Sequence, residues 1–458
     1  MSSPSLEPHN LFKITWPIFI EQLLFILMGT ADTFMLSHVS GAAVAAVGTS
    51  NQVVNVILLV LNMVSSGTAV LIAQYLGAGR GQECGYLTAL SITINMIFGL
   101  LLSGALVIFR HEISIVMQLP TDMYPSVDTY LRLVGATLFM QALLGASSSA
   151  LRASGFTRVT MLVNLGMNAV HILGNYIFIY GAWGAPHLGV LGVSISTSVS
   201  RSLGALVMLY FLYRYAPFKI GWKDYFRLRW KALWRILSIG IPSAGEPIAY
   251  QVSQIVMISF MATLGATVLA TRVYVMNIMS YVIIIGMSIG FGTQILVGHL
   301  VGAGKPEQAY RLVWRSLFIS LGLTVTLVGI IAALARPLLG VFTTDNFILT
   351  LGSELMLISV ILETGRTFNL VIIQSMRASG DVVFPVMMGM LFPFLLGLPL
   401  CFFLGLVLHW GLLGMWLTIL ADEWTRGIIM TFRWKSRVWQ KKALVQPQPV
   451  AEVSIGEM

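Results

Sequence analysis

Long apolar stretches, separated by short polar segments, recur along the whole chain. Each has about 20 residues or more, the length with which an α-helix crosses the hydrocarbon core of a bilayer. Membrane β-strands would instead give segments of about ten residues that alternate in polarity. The pattern therefore predicts an all-α integral membrane protein with twelve transmembrane helices. The predicted spans are 14–37, 48–74, 87–109, 130–150, 160–181, 189–213, 237–263, 272–300, 312–335, 352–375, 383–406 and 411–432.

The second half of the chain repeats the first at a constant offset. Pro17 and Glu21 recur 225 positions later as Pro242 and Glu246. The segments GTAVLIAQYLGAGR and LRASG recur at the same offset as GTQILVGHLVGAGK and MRASG. Each copy holds six spans, and an even number gives both copies the same orientation. We expect two six-helix lobes in a parallel repeat, related by a pseudo-twofold axis along the membrane normal, with a substrate cavity between them.

The repeat also predicts a division of the chain. Residues 1–13 form an N-terminal segment, 14–213 an N-lobe with helices 1–6, and 237–432 a C-lobe with helices 7–12. The linker 214–236 is basic and aromatic, which is typical of a segment that lies on lipid headgroups. Residues 433–458 begin as a basic segment and end in a tail without apolar periodicity, which we expect to be disordered.

Lysine and arginine residues are concentrated in alternate loops. They number 27 against 18 Asp and Glu, which gives a net charge of +9. A basic chain can bind nucleic acid, but this charge follows the topology, and no nucleic-acid partner is expected. By the positive-inside rule the basic loops and both termini face the cytoplasm. The basic residues on that side are Arg80, Arg152, Arg158, seven between Arg214 and Arg235, Lys305, Arg311, Arg315, Arg377, and five between Arg433 and Lys442.

The composition excludes a soluble domain and argues against several activities. Hydrophobic residues make up 57% and charged residues 10% of the chain, whereas a soluble domain has about 25% charged residues. The ATP-site pattern GxxxxGK[ST] and the metalloprotease pattern HExxH are absent from the sequence. We expect neither an ATP-driven pump nor an enzyme, with no cofactor, no catalytic residues and no metal centre. Cys84 and Cys401 are predicted to be free thiols.

Two carboxylates lie within the first span. Glu21 and Asp32 are eleven residues apart, which puts them on one helix face, about 16 Å apart along the axis. An acid at membrane depth is costly and is most often functional. Each is either a protonation or cation site, or a structural acid paired with a neighbouring donor. Asp32 has Met257 at its repeat position, so the two halves are chemically unequal.

The repeated acids come with prolines. Glu21 follows Pro17, and Glu246 follows Pro242 at the same spacing. A proline inside a helix frees a carbonyl and bends the axis. These positions form either a hinge between two helix shapes or a static kink that neighbouring helices tolerate.

Further polar side chains lie within other spans. In span 5, Asn168, His171 and Asn175 share one helix face, and the last two are expected to face Asp32. Two ion pairs are predicted from helical spacing, between Glu363 and Arg366 in span 10 and between Asp422 and Arg426 in span 12. Arg201 recurs by repeat as Arg426, which favours a shared structural role, and has no obvious partner.

Several motifs together resemble the multidrug and toxic compound extrusion (MATE) family. They are ADTFMLSHVSGAAVAAVG after the first-span proline and glutamate, QYLGAG after span 2, LRASG after span 4, and GNYIFIYGAWGAPHLGVLGVSIST across spans 5 and 6. The resemblance runs from about residue 10 to about residue 435 and includes both halves. It implies two six-helix lobes that form a V, and export of organic, often cationic or aromatic compounds driven by inward H⁺ or Na⁺.

The resemblance also implies roles for individual residues. Asp32 matches the first-helix aspartate of a D-T-x-M context, which is central to cation coupling in the family. Asn175 stands where one branch has a fifth-helix acid, and Gln251 stands where another branch has a seventh-helix acid. The tenth-helix acid of that second branch falls near Arg366, with Glu363 one turn away.

The leading hypothesis is a monomeric, cation-coupled antiporter that exports small organic compounds across a bacterial inner membrane by alternating access between its lobes. Its partners would be the substrate, the lipid bilayer, and H⁺ or Na⁺. An exporter of one metabolite such as a flavin nucleotide, a flippase for lipid-linked precursors, and a channel are the alternatives. The channel fits poorly with a duplicated bundle.

Overall fold

The computed structural model describes residues 11–445, which are almost entirely helical and contain no β-strand. Apolar side chains repeat on all faces of most helices, as burial in lipid and protein requires. The helices are α1 (Leu11–Ser37), α2 (Gly41–Gly77), α3 (Gly81–Ile108), α4 (Arg110–Val116), α5 (Tyr124–Ala136), α6 (Leu138–Ala153), α7 (Thr157–Tyr180), α8 (Val190–Tyr215), α9 (Trp230–Ala262), α10 (Ala266–Gly302), α11 (Pro306–Ala333), α12 (Ala335–Gly340), α13 (Asn346–Ser379), α14 (Val383–Phe392), α15 (Leu398–Phe402) and α16 (Gly411–Lys435).

These helices account for the twelve predicted spans. Nine segments are long and apolar enough to cross a membrane singly, the ninth combining α14 and α15, and the bent pair of α5 and α6 forms a tenth. The remaining two, α9 and α16, are less apolar because α9 carries Glu246 and α16 carries Asp422, Glu423 and Arg426. Both helices are long enough to cross a membrane, α9 with 33 residues and α16 with 25.

The predicted span 130–150 is bent in the structure. The chain bends by 45° between α5 and α6. At the bend, the hydroxyl of Thr137 donates to the carbonyl of Val134 at 3.1 Å, and Ser103 on α3 accepts a hydrogen bond from the backbone N–H of Phe139. A side chain that hydrogen-bonds the preceding turn competes with the helical ladder, so the span is broken where these bonds form.

The two halves repeat in their helices as well as in their sequence. Helices α2 and α10 both have 37 residues, and α3 and α11 both have 28. Each pair begins and ends 225 positions apart. The parallel internal repeat predicted from the sequence is therefore present in the fold.

The halves meet closely at one end of the bundle. We call this the basic end, because α2 and α10 finish there beside Arg80 and Lys305. A Cβ atom on Gly77 would lie 2.1 Å from the carbonyl oxygen of His299, and one on Gly302 would lie 2.0 Å from a carbonyl oxygen of the other half. Only glycine permits such an approach. The halves separate away from this end and form a V.

A pair of equivalent hydrogen bonds crosses the interface at the basic end. The amide of Gln74 donates to the carbonyl of Ala378 at 2.6 Å. The imidazole of His299, its repeat equivalent, lies 2.7 Å from the carbonyl of Ala153, the equivalent of Ala378. We call these two hydrogen bonds the reciprocal bonds. The pseudo-twofold axis therefore passes through this interface.

The first turns of α1 and α9 are exchanged between the halves. Ile14 and Ile18 of α1 are buried in an apolar core made mainly by the second half. Ile236 and Ile239 of α9 are buried in a core made mainly by the first half. Each of these helices thus starts in the core of one half and continues in the other.

Two basic segments pack against the helices. In the linker, the backbone N–H of Arg229 donates to the hydroxyl of Tyr86 on α3 at 2.8 Å. Near the C-terminus, Trp439 is fully buried and stacks on Trp434 with ring centroids 4.2 Å apart, and the N–H of Leu444 donates to Gln74. The predicted disordered tail, 446–458, lies outside the described residues.

Candidate functional site

A cavity of about 480 Å³ lies between the two halves. Both halves contribute side chains to it, through α1, α2, α6, α7 and α8 on one side and α9, α10 and α13 on the other. We call it the central cavity. Its wall includes apolar residues such as Phe25, Met28 and Phe291 and several amides. Its charged lining residues are Glu21, Arg152, Arg201 and Arg377.

Each repeated glutamate is paired with an arginine at the cavity. Arg152 lies 3.3 Å from Glu21, which also accepts a hydrogen bond from Asn164 at 2.9 Å. Arg377 pairs with Glu246 in the second half. The placing of these two arginines in loops is wrong, because they lie within α6 and α13. The signal was the repeat itself, since both members of each pair recur at the offset of 225.

The other predicted positions, Pro17, Pro242 and Gln251, do not form a common site with these glutamates. Pro17 and Pro242 lie inside α1 and α9, which run on as single helices through them. Gln251 is exposed and is not part of the wall of the central cavity. The glutamates are therefore associated with arginines, and Gln251 is a member of neither pair.

Asp32, Asn175 and His171 come together in the first half. The amide of Asn175 donates to the Asp32 carboxylate at 2.6 Å, and His171 Nε2 lies 3.4 Å from the same oxygen. The ring nitrogen of His171 also lies 3.1 Å from the hydroxyl of Thr197 on α8. We call these four residues the Asp32 cluster. Asn168, on the same face of α7, bonds to the carbonyl of Asn164 instead and lines the cavity.

The Asp32 cluster is buried and has only uncharged hydrogen-bonding partners when His171 is neutral. Asp32 is 7% exposed, and His171 and Asn175 are fully buried. An ionised carboxylate in such a place is unfavourable unless a proton, a cation or further hydrogen bonds compensate it. A buried carboxyl with one amide donor has the chemistry to bind and release a proton or a small cation. Thr197 was missed, and its repeat match to Asp422 was the available signal.

The second half holds a larger charged network. Arg366 lies 2.5 Å from Glu363, and Arg426 lies 2.7 Å from Asp422. Glu423 joins these two pairs, because it lies 3.1 Å from Arg366 and 3.2 Å from Arg426. We call these five residues the second-half network. All five are less than a tenth exposed.

Sequence reasoning missed Glu423 as the bridging residue. The amide of Asn369 also donates to its carboxylate at 2.7 Å. The spacing of three between Glu423 and Arg426 was a signal for one contact, but the contact to Arg366 depends on how α13 packs against α16. Across residues 11–445, no group of three or more His, Cys, Asp or Glu side chains is arranged to hold a metal ion.

The chain matches a known family model once in each half. The MatE model matches residues 17–177 and 242–403. The two matches begin at Pro17 and Pro242, the repeat-equivalent prolines. They therefore fall on the same duplicated unit that the sequence and the helices define.

Whole-length relatives are similar to the chain. An uncharacterized transporter, YisQ of Bacillus subtilis, is 39% identical over 97% of this chain and 98% of its own length. A probable multidrug resistance protein, NorM of Thermotoga maritima, is 27% identical over 97% of this chain and 96% of its own length. A crystal structure of a MATE protein in a bent conformation has a TM-score of 0.88 at 18% identity, covering 95% of this chain and 96% of its own. An outward-facing MATE transporter has a TM-score of 0.86, covering 94% and 95%.

Proposed function

Because the chain belongs to the MatE family of membrane transporters, we propose that it is a secondary active antiporter that exports small organic compounds in exchange for H⁺ or Na⁺. The observation that carries the proposal is the buried Asp32 cluster, which lies in the first half. The same half contributes α1, α7 and α8 to the wall of the central cavity. In this proposal Asp32 binds the coupling ion, while Asn175 and His171 hold its carboxylate in place.

Helix α1 offers a direct route from ion binding to the interface. It carries Asp32 in the first-half cluster, Glu21 at the central cavity, and Ile14 and Ile18 in the apolar core of the second half. A change of charge at Asp32 alters the balance of forces on one end of this helix. We propose that α1 transmits this change to the contact between the halves, and that Pro17 lets it bend.

The charge pattern supports an orientation. If the basic end faces the cytoplasm, as the positive-inside rule favours, the halves are closed on the cytoplasmic side and the central cavity is reached from outside. We propose that this is the ion-receiving state, and that the lobes 14–213 and 237–432 move against each other during transport. The cavity is walled by one chain, which supports a monomer as the working unit.

Transport by purified protein in lipid vesicles tests the proposal. An imposed H⁺ gradient and an imposed Na⁺ gradient are applied separately, and the accumulation of an organic dye is followed by fluorescence. We expect one gradient to drive transport and Asp32→Asn to abolish it. Glu112→Gln, which removes an exposed carboxylate outside the cavity, is the matched control and should transport normally. Full gradient-driven transport by Asp32→Asn would refute the role of Asp32.

A further inference from the structure

Arg201 is a buried cation in the wall of the central cavity. Only 8% of the residue is exposed. Its Nη1 atom is shielded from solvent and has no hydrogen-bond partner. Within residues 11–445, no carboxylate forms an ion pair with it. A buried guanidinium without an anion is costly, so its retention at a cavity wall calls for a partner that comes from outside the chain.

The repeat supplies an internal comparison. Arg426 occupies the equivalent position in the second half and has two carboxylates beside it, Asp422 and Glu423. The first-half residues at those two positions are Thr197 and Ser198, which are uncharged. The same position in the fold can therefore hold a paired arginine, and the lack of a carboxylate partner is specific to the first half.

The other charged groups near Arg201 are already engaged. Arg152 pairs with Glu21 across the cavity lining, and Arg377 pairs with Glu246. Asp32 accepts its hydrogen bond from Asn175 and forms no ion pair with Arg201. Of the charged side chains that the described structure places in the cavity wall, Arg201 is therefore the one without an ion pair.

We propose that Arg201 binds a carboxylate of the transported compound, so that the substrates are aromatic or aliphatic carboxylates, including amphoteric ones, and not simple organic cations. A guanidinium presents a planar fork of N–H donors that matches a carboxylate. The apolar body of such a compound has Phe25, Met28 and Phe291 within the same cavity wall. This inference rests on the proposed export function and names its substrate class.

Binding to the purified full-length protein tests this class without any gradient. The two probes are a rhodamine dye with a free carboxylate and its methyl ester, which differ only in that group, and binding is followed by fluorescence anisotropy. We expect the carboxylate dye to bind at least about ten-fold more tightly than the ester, as a charge-assisted hydrogen bond predicts. Arg201→Gln should erase that preference, and Arg201→Lys should keep part of it.

A second pair of variants leaves Arg201 in place. Ser198→Glu supplies a carboxylate at the position that Glu423 holds in the second half, and it should erase the preference for the carboxylate dye. Ser198→Gln has the same size without the charge and should keep the preference. These two Ser198 variants also test whether Arg201 binds the carboxylate if Arg201→Gln does not fold.

The outcomes separate the two proposals. Equal or tighter binding of the ester, or an unchanged preference in both Arg201→Gln and Ser198→Glu, overturns the substrate class while gradient-driven transport of the ester still supports export. Binding of neither dye overturns the substrate class as well. Binding of the carboxylate dye without transport under either gradient overturns the export function and leaves the anion site standing.

Discussion

The two halves of the molecule share a scaffold but differ in how they hold charge. In the first half, a single carboxylate, Asp32, is held by Asn175 and His171, and Arg201 has no carboxylate partner. In the second half, three carboxylates and two arginines form one connected network. Every charged group in the second-half network has an ionic partner, whereas in the first half Arg201 has none and Asp32 has none when His171 is neutral.

This difference teaches how a duplicated transporter can divide its work. Charges that pair with one another fix the packing of helices α13 and α16 and are suited to a rigid wall. Charges that lack partners are available to ions and ligands that enter from water. The first half therefore has the groups that can respond to binding, and the second half has those that resist change.

The largest expected effect contrasts Arg426 with Arg201. Arg426→Gln leaves Asp422 and Glu423 buried with one arginine fewer, so it should lower the free energy of unfolding by about 3–5 kcal/mol. Arg201→Gln removes a cation that has no ionic partner, so it should leave this free energy unchanged or raise it. Denaturant unfolding of both variants in the same detergent measures the difference.

Equal destabilisation by these two variants would contradict the comparison, since it would mean that Arg201 has a strong partner in the folded protein. The double variant Asp422→Asn/Arg426→Gln serves as the control. It removes both members of a pair and should recover part of the lost stability.

A smaller effect is expected at the repeated glutamate–arginine pairs. Arg377→Gln leaves the Glu246 carboxylate without its ionic partner, and Gly389 stands where the first half has Asn164. Arg152→Gln leaves Glu21 with its hydrogen bond from Asn164. The two carboxylates are both largely buried, with Glu246 18% and Glu21 8% exposed, so the hydrogen bond from Asn164 is what distinguishes them. We expect Arg377→Gln to cost about 1–3 kcal/mol and Arg152→Gln less, measured by thermal unfolding.

Removing the amide donor of Asn164 sharpens this prediction. Asn164→Gly, which makes the first half resemble the second at this position, should increase the cost of Arg152→Gln. If Arg152→Gln alone is the more destabilising of the two arginine variants, the hydrogen bond from Asn164 does not decide the ranking.

The sequence predicts the fold well because its signals are local or repeated. Apolar stretches of membrane length identify the helices, and the constant offset identifies the two halves. The bend at Thr137 could not be predicted, because it depends on a hydroxyl that bonds its own preceding turn and on Ser103 from another helix.

The candidate site could be predicted only where helical spacing was sufficient. The shared face of His171 and Asn175 leads to the Asp32 cluster, whose function is still a prediction. The bridging role of Glu423 depends on the packing of α16 against α13, which no local pattern contains. In the sequence, Arg152 looks like one of the basic residues that follow a membrane span and set its orientation. Only the repeat links it to a glutamate, because Arg152 and Glu21 recur together as Arg377 and Glu246.

The smallest expected effect concerns the reciprocal bonds, where the halves are most alike. Gln74→Ala removes two hydrogen bonds, to Ala378 and Leu444, whereas His299→Ala removes one, to Ala153. Each bond contributes about 0.5–1.5 kcal/mol to holding the basic end closed. Both variants should increase the population that is open at this end, and Gln74→Ala should do so more. Distances between spin labels attached at Arg80 and Lys305, through cysteines in a background without Cys84 and Cys401, measure that population. Equal opening in the two variants would contradict the prediction, because it would mean that the contact of Leu444 with Gln74 adds nothing to closure and that the interface is symmetric in energy as well as in sequence.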